Sequence, residues 1–305
     1  MGVRTPTPSR RIARYRRGSV ELVATDALAG LARLDHGSVS VVVTSPPYNT
    51  GQPYSLYRDR RPRSEYLAWI GEVGRAVRRV LSPQGSFFLN VGSPPRDPWL
   101  AFDVAREVGR SLHLQNVLHW VKSIALGGLP TDPPTGRAGI VAVGHYRPVA
   151  SSRFVHSAHE YVFHFTPTGT VPLDRLAIGV PYQDASNLTR WRRAGTGLRC
   201  RGNVWFLPYA TIQRRERDRP HPATFPEELP EWCFRLHGLE RIRFAVDPFV
   251  GLGSSAIAAA RLGLPFLGFD IDPEYLAEAA RRLARLPRLP SAERRVRPAI
   301  RPRPN

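Results

Sequence analysis

The chain has 305 residues and a formal charge of +19, because its 44 lysine and arginine residues outnumber its 25 aspartate and glutamate residues. A cationic excess of this size favours a polyanionic partner such as nucleic acid. Cys200 and Cys233 lack the spacing of a metal site or a disulfide framework, which favours a reducing cytoplasm. No apolar run of about 18 residues is present, so the sequence predicts no membrane span.

The predicted elements alternate between strands and helices. Val39–Val43 form an apolar strand. The apolar spacing over residues 64–81 predicts a helix, and residues 85–91 and 118–122 predict further strands. Residues 245–270 have the pattern of strand, glycine turn, helix and strand. This alternation predicts an α/β fold.

A proline-rich turn, Thr44-Ser45-Pro46-Pro47-Tyr48-Asn49, follows the strand at residues 39–43. It lies at the carboxyl end of that strand, where open α/β sheets bind their ligands. Proline fixes the backbone and removes N–H donors, so the nearby carbonyls remain available as acceptors. With the Ser45 hydroxyl and the Tyr48 ring, the turn could hold an exocyclic amine on a flat base. Pro-Pro-Tyr alone is more typical of an ordinary strand followed by a proline turn.

A glycine-rich turn, Asp247 to Ser255, follows a later strand. Gly251 and Gly253 allow close approach of the backbone to a ligand, and the helix start supplies unpaired N–H groups. Asp270 ends the next strand, where nucleotide-binding sheets place an acceptor for ribose hydroxyls. The glycine spacing also fits a nicotinamide or flavin site, but the preceding Asp-Pro-Phe and the late position in the chain disfavour one. A turn that binds nothing is the third alternative.

Together, Ser-Pro-Pro-Tyr-Asn and Asp-Pro-Phe-x-Gly-x-Gly-Ser-Ser resemble the amino-methylating DNA methyltransferases that use S-adenosylmethionine. The catalytic motif precedes the cofactor loop, as in the β class of that family. The resemblance covers residues 18–285 in patches. It implies that residues 18–28 contain a strand followed by Asp26 and that residues 158–165 form a late strand of the catalytic half. It implies a Rossmann-like S-adenosylmethionine-dependent methyltransferase fold, circularly permuted, with a small target-recognition insertion. Residues 18–285 are expected to form the catalytic domain, between a basic disordered arm at 1–17 and a Pro/Arg-rich disordered tail at 286–305.

The same resemblance implies the site residues. Catalysis is assigned to Ser45, Pro46, Pro47 and Tyr48. The Ser45 hydroxyl and the Pro46 carbonyl accept hydrogens from the amine, and Tyr48 stacks on the base once it has flipped out of the duplex. The residues expected to bind S-adenosylmethionine are Asp26, Thr224, Phe225, Asp247, Phe249, Gly251, Gly253, Ser254, Ser255 and Asp270. No metal site is expected.

Two arginine-rich segments are expected to contact DNA. Residues 50–63 predict a flexible loop that closes over the DNA near the flipped base, with a solvated charged loop as the alternative. Residues 185–218 predict the target-recognition region, with a basic loop lacking sequence specificity as the alternative. Arginines interleaved with aromatic residues suit phosphates, base edges and unstacked bases. The DNA-binding residues are expected to be Arg58, Arg60, Arg61, Arg190, Arg192, Arg193, Arg199 and Arg201.

The expected reaction is methylation of the N4 amine of cytosine in double-stranded DNA, because Ser-Pro-Pro-Tyr in the resembling family is associated mostly with that base. N6 of adenine is the alternative. Carbon methylation is excluded because it requires a Pro-Cys dipeptide, and neither cysteine follows a proline. An RNA or protein-glutamine methyltransferase, a non-catalytic DNA-binding protein and an NAD-dependent oxidoreductase are remote alternatives. The resemblance permits a cognate restriction endonuclease and a homodimer, and it implies a cytoplasmic, nucleoid-associated protein.

Overall fold

The computed structural model describes residues 13–122, 124–126, 142–144, 151–155, 157–182, 197–207 and 224–287. The strands are β1 (Arg14–Arg17), β2 (Val20–Ala24), β3 (Val39–Thr44), β4 (Leu81–Val91), β5 (His113–Val121), β6 (Ile124–Leu126), β7 (Ala142–Gly144), β8 (His159–Thr166), β9 (Val180–Pro181), β10 (Leu198–Arg199), β11 (Val204–Phe206), β12 (Ala245–Asp247) and β13 (Phe266–Asp270). The helices are α1 (Ala27–Ala32), α2 (Arg63–Val80), α3 (Leu100–Val108), α4 (Glu228–His237), α5 (Ser254–Arg261) and α6 (Pro273–Ala284).

Within the described ranges, nine strands form one mixed sheet in the order β1-β2-β13-β12-β3-β4-β8-β5-β11. The five strands from β2 to β4 in that order run parallel to one another, and β8 is antiparallel to both of its neighbours. Because β12 pairs directly with β3, the glycine turn and the proline turn leave the sheet side by side. Two motifs about 200 residues apart in sequence therefore lie at one edge.

Helices cover both faces of the sheet. Helices α1 to α3 contribute to one apolar cluster, and α4 to α6 contribute to the other. Strand β3 lies between the clusters and is buried along its whole length, with Val41 and Val43 facing one cluster and Val39 and Val42 facing the other. This two-sided burial explains why its sequence is a continuous apolar run and does not alternate.

The predicted α/β class is confirmed, and α2 matches the helix predicted over residues 64–81. The predicted disordered arm is wrong for residues 14–17, which form β1 and pair with β2 across a turn at Gly18. Tyr15 packs against an apolar cluster, and Arg14 pairs with Glu21 at 2.7 Å, so this short basic segment has both apolar and ionic partners. Leu286 also packs on that cluster, inside the predicted tail. The rest of both predictions, residues 1–12 and 288–305, lies outside the described residues.

Two histidines share one buried hydroxyl inside the fold. His164 Nε2 and His237 Nδ1 each lie 2.9 Å from Ser86 Oγ, and the His164 ring stacks on Phe88. Burial lowers the pKa of His164 to about 3 and that of His237 to about 4. Both rings are therefore neutral in the folded state at neutral pH.

This pair predicts a loss of stability in mild acid. The unfolded chain takes up a proton at each histidine below about pH 6.5, whereas the folded chain does not until about pH 4, so the free energy of unfolding falls across that window. Asp247 and Asp270 oppose this trend, because their raised pKa values let the folded state bind protons first. Between pH 6 and 4, the free energy of unfolding of the His164→Gln variant should depend less on pH than that of the unsubstituted chain. We expect the two slopes to differ by about 1.4 kcal/mol per pH unit.

The measurement is urea unfolding at a series of pH values, comparing the slopes of the two proteins and not their absolute stabilities. His113→Gln, at an exposed histidine at the start of β5, controls for the substitution itself. Equal slopes for His164→Gln and the unsubstituted chain contradict a neutral buried His164.

Candidate active site

A cavity of about 300 Å³ opens at the carboxyl ends of four neighbouring parallel strands. Ligands of open α/β sheets bind in such a crevice, and the volume suits a small molecule. Of the predicted site residues, those that line the cavity are Asp26, Ser45, Pro47, Arg58, Arg61, Thr224, Phe225, Phe249, Gly251, Ser254 and Asp270. Most of the predicted cofactor residues therefore surround one space, and Ser45 of the proline turn borders the same space.

The carboxylate of Asp270 is held in place by the glycine turn. Its Oδ2 accepts from Gly251 N at 3.0 Å, and its Oδ1 accepts from Asp272 N at 2.9 Å. Gly251 has φ +48°, a left-handed conformation that favours glycine. Burial raises the pKa of Asp270 to about 6, Asp272 adds to the rise, and the two backbone amides oppose it. The result is a fixed acceptor group at the cavity wall.

Asp247 holds the site together and does not line the cavity, which corrects its predicted role in binding the cofactor. It is buried and accepts from Thr44 Oγ1, from Phe249 N at 2.9 Å and from Ser255 Oγ. The Asp-Pro turn directs this carboxylate back towards the sheet, where it ties β3 to the glycine turn. Ser255 and Gly253 are also absent from the cavity lining, so we assign them to the same support. Burial raises the pKa of Asp247 to about 6, although the hydrogen bonds from Ser255, Thr44 and Phe249 lower it.

The segment from Thr50 to Pro62 forms a wall of the cavity. Its fold is fixed by the buried Asp59, which accepts from the backbone N–H groups of Asn49, Thr50 and Gln52 at 2.7 to 3.1 Å. Asn49, at φ +60°, exchanges two hydrogen bonds with the backbone of Arg61. The sequence predicted a flexible loop over the DNA at this position. In the structure the segment packs over the cavity expected to hold the cofactor, because Asp59 and Asn49 close it on itself.

Aromatic side chains complete that wall. Trp69 of α2 meets Phe249 edge-on, with ring centroids 5.5 Å apart, and lies 5.9 Å from Tyr57. The guanidinium of Arg61 stacks over both Tyr57 and Trp69. These contacts fix Arg61 at the cavity, whereas Arg60 in the same segment is exposed.

The predicted target-recognition region is described only over residues 197–207. Arg199 is exposed on β10. Arg201 packs over Trp232 of α4, with its guanidinium 4.1 Å from the ring centroid, and donates to the Ile178 carbonyl at 2.9 Å. These contacts tie its partly exposed guanidinium to the fold, and its contact with DNA stays a prediction. Arg190, Arg192 and Arg193 lie outside the described residues.

The proline turn places two hydroxyl groups next to each other. Ser45 Oγ and Tyr48 OH lie 2.7 Å apart, and Ser45 borders the cavity. The Pro47 carbonyl accepts from Tyr66 OH of α2 at 3.0 Å, and Pro46 is buried. The turn is therefore anchored on both sides, and the Ser45 hydroxyl keeps a defined position at the cavity edge.

Three polar residues behind this turn were missed by the sequence-based predictions. Asn90 Nδ2 lies 2.7 Å from both Tyr48 OH and Glu160 Oε2, and Lys122 pairs with Glu160 at 2.5 Å. Asn90 lies near the carboxyl end of β4, Lys122 directly follows β5, and Glu160 lies near the start of the antiparallel strand β8. A polar residue interrupting the apolar runs 85–91 and 158–165 was the available signal.

Within the described parts of the chain, no cluster of three or more histidine, cysteine, aspartate or glutamate side chains could hold a metal ion. The same parts contain no helix that is both long and apolar enough to cross a membrane.

The fold and the cavity define an α/β protein with a hydroxyl-bearing proline turn beside a cavity at the carboxyl ends of its parallel strands. The chain belongs to the N6/N4 family of DNA methylases, whose family model matches residues 39–281. Type II methyltransferase M.BglII from Bacillus subtilis is 30% identical over 257 residues, which make up 82% of this chain and 65% of M.BglII. The chain thus spans slightly less than two thirds of that relative's length.

Two solved structures share the fold. The PvuII DNA methyltransferase (cytosine-N4-specific) has a TM-score of 0.59 at 21% identity, covering 88% of this chain and 89% of the PvuII chain. TTHA0409 from Thermus thermophilus, complexed with S-adenosyl-L-methionine, has a TM-score of 0.54 at 24% identity, covering 86% and 92%. These comparisons confirm the predicted class, an amino DNA methyltransferase, and the predicted fold. They also confirm the predicted cofactor, because the family depends on S-adenosylmethionine. The family includes both N6 and N4 enzymes, so the base is not decided.

Proposed function

We propose that the chain transfers a methyl group from S-adenosylmethionine to the exocyclic N4 amine of cytosine in duplex DNA. The observation that supports this most is the position of Ser45, whose hydroxyl borders the same cavity as Asp270 and the glycine turn. Substrate amine and methyl donor would meet there. The N6 amine of adenine is the alternative, because the same geometry can hold either amine.

The cavity fits the proposed cofactor. A carboxylate fixed by two backbone amides, as Asp270 is, suits the two hydroxyls of a ribose. Gly251 allows close approach, and the partly buried Phe249 supplies an apolar wall beside it. Asp26, at the end of β2, would contact the adenine end, while Thr224 and Phe225 would contact the methionine part.

When bound, S-adenosylmethionine supplies an activated sulfonium methyl group. The substrate amine would accept that methyl group, the electrons of the broken C–S bond would remain on sulfur, and the amine would release one proton to solvent. An aromatic amine is a poor nucleophile because its lone pair is delocalised into the ring. Acceptors at Ser45 and Pro46 would draw the amine hydrogens out of the ring plane and localise that lone pair. Alignment and fixed dipoles then provide the rate gain.

Duplex DNA as the substrate would require the base to leave the stack, and Tyr48 would then pack against it. Arg58 and Arg60, both exposed beside the cavity, and Arg199 are the described cations that we assign to DNA contacts. We also propose that the chain acts on nucleoid DNA in the cytoplasm. A cognate endonuclease and a homodimer are compatible with this function.

The test is transfer of a labelled methyl group from S-adenosylmethionine to duplex DNA, to single-stranded DNA and to RNA of mixed sequence. We expect label in duplex DNA. Label confined to RNA contradicts the substrate assignment, and no label in any polymer despite cofactor binding favours a non-catalytic DNA-binding role.

DNA affinity should depend steeply on salt. Each phosphate neutralised by arginine releases counterions, so the logarithm of the binding constant falls with the logarithm of salt concentration, with a slope near −0.9 per contact. For a chain of charge +19, we expect a slope steeper than about −3 in fluorescence anisotropy titrations. A slope near zero would rule out an interface dominated by the DNA backbone.

A further inference from the structure

Three polar side chains lie directly behind the proline turn, on or next to strands that are neighbours in the sheet. Asn90 and Glu160 are buried, and Lys122 is partly buried. Asn90 lies on β4, Glu160 lies on β8, and Lys122 follows β5. Their contacts form one continuous chain from the cavity inward. Ser45 Oγ lies 2.7 Å from Tyr48 OH, Tyr48 OH lies 3.1 Å from Glu160 Oε2, and Lys122 Nζ contacts Glu160 Oε1.

Glu160 is held in its ionised form. Burial alone would raise the pKa of this carboxyl, but the Lys122 ammonium and hydrogen bonds from Asn90 and Tyr48 outweigh burial and hold the pKa below its usual range. An ionised carboxylate only accepts hydrogen bonds. Every hydroxyl and amide group that touches Glu160 must therefore donate to it.

That constraint sets the direction of the whole chain of contacts. If Tyr48 donates to Glu160, its oxygen is left to accept, and the neighbouring Ser45 donates to it. Ser45 then directs its own hydrogen inward, and only oxygen lone pairs face the cavity. An acceptor in that position suits the N–H groups of an amine.

The orientation of Asn90 supports this direction. Its NH₂ group lies 2.7 Å from Glu160 Oε2 and from Tyr48 OH, while its Oδ1 is buried without a hydrogen-bond partner among the described residues. Reversing the amide would place a carbonyl oxygen against a carboxylate. Leaving Oδ1 unpaired is therefore the arrangement that a charged Glu160 demands.

We propose that Glu160, paired with Lys122, is a positioning residue that orients the Tyr48 and Ser45 hydroxyls so that Ser45 meets the substrate amine only as an acceptor. This inference rests on the proposed function. Glu160 acts through Tyr48 and does not touch the substrate. It differs from a general base, since its proton affinity is kept low and it takes up no proton during transfer.

The first variant is Glu160→Gln, which keeps the shape but introduces an NH₂ donor. Whether this group faces Tyr48 or Lys122, two donors oppose each other and the direction of the hydrogen bonds is lost. We expect kcat for methyl transfer to fall about 10–100-fold, the scale for losing a group that orients another, while the KM for DNA and the cofactor affinity hold. Glu107→Gln, on α3 and paired with Arg110, is the matched control.

The second variant is Lys122→Met, which removes the ammonium and leaves Glu160 buried. The pKa of Glu160 should then rise, so kcat should fall as pH decreases through the new value and recover at higher pH. Lys122→Arg keeps the positive charge, so its kcat should not fall in this acidic pH range. The titratable groups around Glu160 are Tyr48, Lys122, His119 and His159, so both histidines are replaced by glutamine in a background control.

A third variant, Tyr48→Phe, removes the middle hydroxyl and keeps the ring, and it should lower kcat to a similar extent. If Glu160→Gln does not fold, the Lys122 and Tyr48 variants decide. Unchanged kcat in Glu160→Gln, or a Lys122→Met profile without an acid step, overturns the inference. If the unsubstituted chain methylates no DNA amine, both the proposed function and this inference are wrong. If the unsubstituted chain is active and the variants have the same kcat, only this inference is wrong.

Discussion

Replacing Ser45 with alanine is expected to lower kcat about 100- to 1000-fold, the scale for removing one fixed polar group aimed at the reacting atoms. The hydroxyl borders the cavity, lies 2.7 Å from Tyr48 OH and accepts a longer contact of 3.4 Å from Asn90 Nδ2, so its loss removes an acceptor without opening the core. Single-turnover rates with saturating cofactor measure the effect directly. Cofactor affinity, measured by calorimetry, should remain at the level of the unsubstituted chain.

The matched control is Ser38→Ala. Ser38 precedes β3, whereas Ser45 follows it, so the two serines lie at opposite ends of one strand. Ser38 Oγ donates to the Asp35 carbonyl, and its loss should cost at most about 1 kcal/mol of stability and no activity. Equal single-turnover rates for Ser45→Ala and Ser38→Ala would show that Ser45 does not contact the substrate amine.

Replacing Asp270 with asparagine is expected to weaken S-adenosylmethionine binding about 10- to 100-fold. Hydrogen bonds to charged groups contribute about 1.5–3 kcal/mol each, and a tenfold change in affinity corresponds to about 1.4 kcal/mol. Asparagine retains the shape and one oxygen for Gly251 N, so the fold should be preserved. Asp35→Asn, between α1 and β3 and outside the cavity lining, provides a control for the same substitution.

The pH dependence of cofactor binding tests the same assignment independently. The pKa of Asp270 is raised to about 6, so below pH 6 its carboxyl is mostly protonated in the unbound protein and is a poorer acceptor. The Kd should rise with falling pH, by up to about tenfold per pH unit below 6. Asp247 has a raised pKa as well, but only the Asp270→Asn variant should flatten this dependence. An identical profile in that variant would exclude Asp270 as the titrating group.

Local sequence patterns were sufficient for the elements that frame the site. The apolar run Val39–Val43 required a buried strand, and the glycines at 251 and 253 required a tight turn before a helix. Asp270 followed from its position at the end of a short apolar strand. All three are short-range features, which is why they could be predicted without knowledge of the sheet order.

The Glu160 cluster could not be predicted in this way. Asn90, Lys122 and Glu160 meet only because β4, β8 and β5 are neighbours in the sheet, and no local pattern specifies that order. The segment after the proline turn was misinterpreted for a related reason. Its mixture of glycine, tyrosine and arginine indicated a flexible loop over the DNA, but Asp59 is buried and binds three backbone amides, a contact that depends on the turn at Asn49.

The most direct test of the central claim is mass spectrometry of nucleosides from duplex DNA after incubation with the purified chain and S-adenosylmethionine. The proposed function predicts N4-methylcytosine, and its absence in a parallel reaction with Ser45→Ala. N6-methyladenine would retain the mechanism and reassign the base. Methylation at carbon 5 of cytosine, or no methylated nucleoside despite cofactor binding, would contradict the proposed function.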